Sequence, residues 1–367
     1  MKRKFVFMAL LAMTVLSLSA QRQSPYTQLV WSDEFNGTGL PDPAKWDYEV
    51  GYVRNGELQY FTRERVENAY QEGGYLHIRA INNDPVYDAE NKVLNNKDNA
   101  QQTTSASIIT KGKVSWLYGR IEVRAKVPGP NKGSWPAIWM MPVANRWGNW
   151  PNSGEIDIME HVGYAPEQTH FTAHTYKYNN SFGVMPARGT AYDTPGVYND
   201  FHVFALEWDT EGLYWYFDDR KIPAFEFYNE SSGLENDWQA WPFLREFYLM
   251  LGLAYGGGWG GRNGVDWQLP MEYLVDYVRV YKMPESAITT VSDEPINIYP
   301  NPVENILHFD GIDRLREISI KNISGQTVAR FQNVEKSVDL SHLDKGYYIL
   351  QLKDADGNPY SRKILKR

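Results

Sequence analysis

From Trp31 onward apolar and polar residues alternate in short runs broken by Gly, Pro and Asn, and scarcely any stretch repeats with a helical period. Alternation with period two and frequent breakers predicts an all-β sandwich. Strands are expected over residues 75–80, 105–110, 119–127, 135–140, 154–161, 169–176, 202–208, 213–217, 248–254 and 274–282. A sandwich of that size bends one sheet into a groove. The pattern changes after Lys282: residues 284–296 hold Pro284, Ser286, Ser292 and Pro295 among several acids and read as a linker. Residues 297–367 then form a second, smaller β unit, with strands expected over 306–309, 317–322, 327–331 and 346–353 and turns at Ser324-Gly325 and Asp356-Gly357. That unit has no clustered acids, no histidine pair and no aromatic groove, so the chemistry is placed in the first.

One strand departs from simple alternation. In Gly154-Glu155-Ile156-Asp157-Ile158-Met159-Glu160-His161, Ile156 and Ile158 face a core while Glu155 and Asp157 face the other way. Strict alternation would then bury Glu160. An unpaired buried carboxylate costs several kcal/mol, so a one-residue bulge near Met159, returning Glu160 to the face of Glu155, is the cheaper arrangement. The two glutamates are then about 13 Å apart at Cα. Their carboxyl groups can approach to about 5 Å, the separation of a retaining glycosidase rather than an inverting one. Two other readings fit the same residues: a solvated acidic strand, or a metal site built from Glu155, Asp157, Glu160 and His161. Like charges on one face repel, which counts against solvation alone. His161 should point away from Glu160, which weakens the metal reading.

Aromatic residues cluster around these acids. Trp135 and Trp139 lie on the preceding strand, where spacing of four puts them on one face, and Trp147 and Trp150 lie on the loop between. They suggest stacking platforms, with core packing as the ordinary alternative. The run Gly256-Gly257-Gly258-Trp259-Gly260-Gly261 lacks the Lys-Ser/Thr pair and following helix of a phosphate loop. Its glycines are expected to turn the backbone and present Trp259 to the groove. His174 follows one predicted strand later, at a distance a hairpin closes. Beside Glu160 it would position that acid and adjust its pKa; elsewhere it is structural.

Composition narrows the classes. The 367 residues include no cysteine, which excludes disulfides, thiolate metal sites and a thiol nucleophile. A net charge of -8 argues against a nucleic-acid partner. With 13 Trp and 25 Tyr the chain is rich in rings suited to flat sugar ligands. Residues 1–20 begin Lys2-Arg3-Lys4, continue as an apolar run and end Ser17-Leu18-Ser19-Ala20, the pattern of a secretory signal peptide. The mature protein is expected to be exported and soluble.

Several segments together are recognisable. Glu155-Ile-Asp157-Ile-Met-Glu160 resembles the active-site motif of glycoside hydrolase family 16 in its bulged, laminarinase-like form. Trp31-Ser-Asp-Glu34-Phe, Asn55-Gly-Glu-Leu-Gln59-Tyr-Phe-Thr62, Tyr118-Gly-Arg120-Ile-Glu-Val-Arg124, Trp135-Pro-Ala-Ile-Trp139 and Asp276-Tyr-Val-Arg-Val-Tyr281 agree with it. The resemblance implies a concanavalin-like β-jelly-roll catalytic domain over residues 21–283 that cleaves β-glucan inside the chain. It implies Glu155 as nucleophile, Glu160 as acid/base and Asp157 as the residue tuning their charge states. It implies Asn55, Trp135, Trp139, His174 and, as a looser match, Trp259 in the substrate groove. No cofactor is implied for catalysis. The family often carries a structural calcium ion, and Glu34, Gly74 and Asp276 occupy the comparable positions. The segment 169–174 departs from the usual pattern, in which a small Gly-Thr pair is more common.

Residues 297–367 resemble the type A sorting domain of type IX secretion through Tyr299-Pro-Asn-Pro302, Asn322-Ile-Ser-Gly325, Leu343-Asp-Lys-Gly346 and Lys363-Ile-Leu-Lys366. That implies passage across the outer membrane by the type IX machinery; a carbohydrate-binding β-sandwich is the alternative. The expected protein is therefore a secreted or cell-surface, monomeric endo-β-1,3-glucanase acting on laminarin-type polysaccharide. The fold also serves mixed-linkage glucan and marine galactans, and a lectin-like glucan-binding protein is the non-catalytic alternative.

Overall fold

The computed structural model describes residues 24–97, 100–181, 185–228, 237–284, 296–311, 314–322, 327–354 and 359–367. The expected signal peptide, residues 285–295 of the expected linker, and the turns at Ser324-Gly325 and Asp356-Gly357 lie outside these residues. The chain divides into two compact units, the first ending at Pro284 and the second beginning at Glu285.

In chain order the first unit contains β1 (Gln28–Asp33), β2 (Asp47–Tyr48), β3 (Tyr60–Phe61), β4 (Ala69–Glu72), β5 (Tyr75–Ala80), β6 (Thr104–Ser105), β7 (Ser107–Ile109), β8 (Gly119–Lys126) and β9 (Ser134–Pro142). It continues with β10 (Glu155–His161), β11 (Gln168–His174), β12 (Arg188–Asp193), β13 (His202–Trp208), β14 (Gly212–Phe217), β15 (Arg220–Tyr228), β16 (Phe247–Tyr255), the single helical turn α1 (Gly257–Gly260) and β17 (Met271–Lys282). One sheet runs β15-β14-β13-β8-β17-β5-β4 with β1 added beside β17, and the other runs β12-β11-β10-β9-β16-β7-β2. This is the expected all-β jelly roll.

The core lies between the two sheets. Ile138, Met140, Ile156, Ile158, Leu249 and Leu251 from the second sheet meet Ile121, Val123, Phe204, Leu206, Val278 and Val280 from the first, all buried. Alternation then sends Arg120, Glu122 and Arg124 of β8 to the opposite face, where Arg120 ion-pairs with Glu122, Glu207 and Asp219. On the second sheet the same alternation turns Trp135, Ala137, Trp139 and Met141 of β9 into a groove. The edge strand β12 was not foreseen; its half-exposed, polar sequence Arg-Gly-Thr-Ala-Tyr-Asp lacks an apolar face.

The second unit is also all β: β18 (Asn297–Tyr299), β19 (Ile306–Asp310), β20 (Leu315–Asn322), β21 (Thr327–Val334), β22 (Ser337–Asp339), β23 (Gly346–Asp354) and β24 (Pro359–Lys366). They form sheets of order β18-β19-β22 and β21-β20-β23-β24 around Leu307, Phe309, Ile318, Ile320, Leu350 and Ile364.

Gly154 launches the acid strand with φ of +89°, and a Cβ there would meet Pro242 Cγ at 2.8 Å and Phe243 Cε1 at 2.9 Å. Both the left-handed backbone and the packing require glycine. Gly154→Ala is expected to cost about 2 kcal/mol, read as a lower urea midpoint; an unchanged midpoint would show that the turn relaxes freely.

Candidate active site

The strand β10 carries the predicted irregularity. Asp157 pairs with Trp139 of β9 and Met159 with Ile138, so the register shifts by one residue between them, and the pairing with β11 shifts between Asp157 and Glu160. Ile158 and Met159 are both fully buried, and Glu155, Asp157 and Glu160 all line the groove. The carbonyl of Asp157 lies at the start of the bulge. Trp215 of β14 reaches across the core and donates its indole N–H to that oxygen at 2.8 Å, which satisfies it.

The groove has a volume of about 890 Å³. Asn55, Trp135, Trp139, His174 and Trp259 all line it, as do Arg54, Glu57 and His170. Trp259 sits on α1, so the glycine run is one helical turn rather than a plain loop. Its ring meets Trp135 edge-on at 5.3 Å and His170 at 4.8 Å. Asn55 donates to Glu57 at 3.2 Å, and its carbonyl accepts the N–H of Gly258 at 2.9 Å, so the Asn55 loop and the Trp259 turn hold each other. Of the two loop indoles Trp150 lines the groove, 5.8 Å from His174, whereas Trp147 stacks with Trp238 at 6.2 Å and is not among the residues that line it.

His174 is not placed beside Glu160. The hairpin register sets it opposite Glu155, with Nε2 3.3 Å from Asp157 Oδ2, and it is His170 that faces Glu160. A hairpin loop of six residues rather than a tight turn fixes this register, and loop length is what the sequence leaves open. The signal for His170 was its period-two relation to His174 on the same strand. His161 is buried on the other face, with Nε2 3.1 Å from the Pro166 carbonyl oxygen, so the metal set that included it does not assemble. Glu155, Asp157 and His174 do bring ligating atoms within 4.8 Å of one another, the one such cluster among the described residues.

The residues expected to hold calcium do not fit the ion. Both carboxylate oxygens of Glu34 accept from the Arg279 guanidinium, at 3.0 and 2.8 Å, and the Asp276 carboxylate is paired with Arg124. Each acid is already neutralised by a fixed cation. Gly74 stands in the turn between β4 and β5 with φ of +84° and could offer an ion only its backbone carbonyl.

Burial governs the electrostatics of the acid strand. It pushes the Glu155 carboxyl up to about 8, reinforced by the charge of Asp157 and opposed by His174 and Arg54. It pushes Asp157 up to about 7, where a hydrogen bond from Glu155 works the other way. Glu160 is raised furthest in direction, by burial and then by Asp157 and Glu155, against His174 and the Trp135 N–H that donates to its Oε1 at 3.0 Å. His170, held down to about 4 by burial, stays neutral and adds no charge that would ionise Glu160. Burial and mutual repulsion both favour the protonated form, so the cluster holds protons that isolated carboxylates would have lost at neutral pH.

A curved β-jelly roll whose groove holds two glutamates and an aspartate on one bulged strand defines a polysaccharide-cleaving glycoside hydrolase. Residues 77–278 match the model of the glycosyl hydrolases family 16, and residues 297–367 that of the secretion system C-terminal sorting domain. The chain belongs to glycosyl hydrolase family 16. It is 44% identical to a beta-glucanase of Rhodothermus marinus over 287 residues, 77% of this chain and 94% of that protein. The structure of the laminarinase from Rhodothermus marinus superposes with a TM-score of 0.62 at 46% identity, covering 70% of this chain and 97% of that one. A non-specific endo-beta-1,3(4)-glucanase crystallised with a glucan oligosaccharide is similar at 37% identity and a TM-score of 0.63, covering 71% and 96%.

The raised carboxyl pKa values make a prediction about stability. Carboxyl groups titrate near 4 when unfolded, so the folded state binds more protons between about pH 4 and pH 8, and these groups destabilise it progressively as pH rises through that window. Glu155→Gln removes one of them. It is expected to raise the melting temperature at pH 8 by on the order of 3 °C, about 1 kcal/mol, and to leave it nearly unchanged at pH 4. An equal shift at both pH values would contradict the desolvated cluster.

Proposed function

We propose that the protein is a secreted, endo-acting, retaining glycoside hydrolase that cleaves β-1,3-glucan of the laminarin type. The observation that carries the reading is the position of Glu155, Asp157 and Glu160 within the groove. The groove is lined from β12 through β11, β10, β9 and β16 to β7, five strand spacings or about 24 Å. The acids stand on the third strand of that row, so a glucan lying across the sheet meets them at an internal bond.

In the first half-reaction Glu160 gives its proton to the glycosidic oxygen as the bond to C1 breaks, and a Glu155 oxygen bonds to C1. Glu155 reacts in its ionised form, which His174 and Arg54 favour against the burial that raises its pKa. The Trp135 N–H holds Glu160 in place and stabilises the carboxylate it becomes. That carboxylate then takes a proton from water, whose oxygen displaces Glu155 from C1. His174 Nδ1, buried and without a partner in the protein, is available to a sugar hydroxyl. The alternatives are mixed-linkage β-1,3-1,4-glucan or a galactan on the same fold. A sulfated galactan would favour basic residues in the groove; Arg54 and Arg262 line it, and Arg54 is paired with Glu49. Export to the cell surface or medium follows from the sorting domain, with the type IX machinery as partner, and the enzyme acts as a monomer.

Full-length protein incubated with laminarin, mixed-linkage β-glucan, agarose and carrageenan is expected to release short oligomers fastest from laminarin, and the first product seen by NMR should keep the β anomer. An α product would place the carboxyl groups too far apart for this mechanism. Glu155→Gln and Glu160→Gln should each lower kcat by at least about a thousandfold in folded protein. A chelator should leave turnover unchanged; loss of activity on chelation would favour a metal held by Glu155, Asp157 and His174.

A further inference from the structure

Trp139 faces the groove, yet it is only 9% exposed and packs among Ile109, Tyr248 and Met250. The guanidinium of Arg54 lies over its ring, 4.8 Å from the centroid. A sugar ring stacking there would need the space that Arg54 fills. Arg54 is held a second time by an ion pair with Glu49, whose other carboxylate oxygen accepts from Ser107 Oγ at 2.8 Å. The arginine side chain remains 28% exposed, lining the groove.

The floor beneath it has two unlike rows. Glu160 pairs with Ala137, Ala137 with Gly252 and Gly252 with Ser107, a row of small residues. Asp157 pairs with Trp139 and Trp139 with Met250, a row of large ones. The small row leaves a trough leading away from the acid Glu160, and Arg54 stands on the ridge beside it. A guanidinium carries five N–H donors in one plane. Glu49 does not use them all, and because it neutralises the charge the remaining donors suit hydroxyl groups better than an anion.

We infer that Arg54, rather than Trp139, meets the substrate on this side of the acids: it donates hydrogen bonds to the hydroxyl groups of a glucosyl residue lying in the trough over Ala137 and Gly252, and so is a specificity-determining residue. Trp139 and Glu49 are positioning residues that hold it. The inference rests on the glucanase reading above.

The test uses full-length wild type, Arg54→Ala and Arg54→Lys, with laminarin and laminaripentaose as substrates and melting curves to establish folding. Arg54→Ala is expected to raise KM by about ten- to a hundredfold, with a smaller fall in kcat, and Arg54→Lys to recover part of the loss, since a lysine keeps the charge without the planar fork. An unchanged or lower KM in folded Arg54→Ala overturns the inference, because it would mean that the arginine merely covers an indole that sugars prefer. Should Arg54→Ala fail to fold, Arg54→Gln keeps the length of the side chain and must show the same rise in KM. Wild type that leaves laminarin untouched would defeat the glucanase reading instead.

Discussion

Three carboxyl groups share one face of a strand whose other face is core, and the rest of the catalytic unit depends on that arrangement. A regular strand cannot supply it, because positions five apart fall on opposite faces. The bulge across Ile158 and Met159 resolves the conflict by burying two consecutive apolar residues and returning Glu160 to the groove. At the start of the bulge the indole of Trp215 on the opposite sheet donates to the Asp157 carbonyl. The two sheets are thus joined at the site by a hydrogen bond as well as by apolar packing. A weaker core at that point would let the bulge slip and bury a charge.

The neighbouring strands then set the charge state of each acid. His174 faces the Glu155 end and contacts Asp157, and its charge opposes the rise of both Glu155 and Glu160. His170 faces Glu160 but is kept neutral by burial, and the Trp135 N–H contributes a dipole rather than a charge. Both ends are pushed toward holding a proton, but at Glu155 the charges of His174 and Arg54 oppose that push, while at Glu160 the charges of Asp157 and Glu155 add to it. That asymmetry is what a nucleophile and an acid separated by one bulge require.

Much of this was legible in the sequence, and the failures have physical causes. The alternation of Ile156 and Ile158 with acids, set against the face required of Glu160, located the bulge, and the breaker-rich alternation gave most strands to within two residues. Short or polar strands such as β2, β3 and β12 escaped because they bury too little apolar surface to mark themselves. Which acid His174 faces was left open, because hairpin register depends on loop geometry, not on composition. The arginine partners of the calcium candidates were not legible, because a list of acids says nothing of the cations opposite them. Arg279 sits one strand from Glu34, and only the pairing of β1 with β17 reveals it. Arg54 drew no notice beside Asn55, since nothing local shows that its guanidinium will lie on an indole more than eighty residues away.

An acid cluster of this kind lowers stability, and a chain without cysteine has no covalent means to offset it. The aromatic content answers that need as much as it serves sugar binding. Trp46, Trp208, Trp215 and Trp241 are fully buried, and behind the turn that launches β10 Trp208 meets Phe247 and Trp241 meets Phe243 edge to face, with Phe243 tilted against Phe247. Trp135, Trp150 and Trp259 face the groove instead. Indoles in the two sets are the same residue used for opposite ends: rigid buried area close to the strained strand, and flat partly open surface where a polysaccharide must bind and leave. A composition count cannot separate them. The pleat can, because the strand that turns Trp135 toward the substrate turns Ile138 and Met140 toward the core.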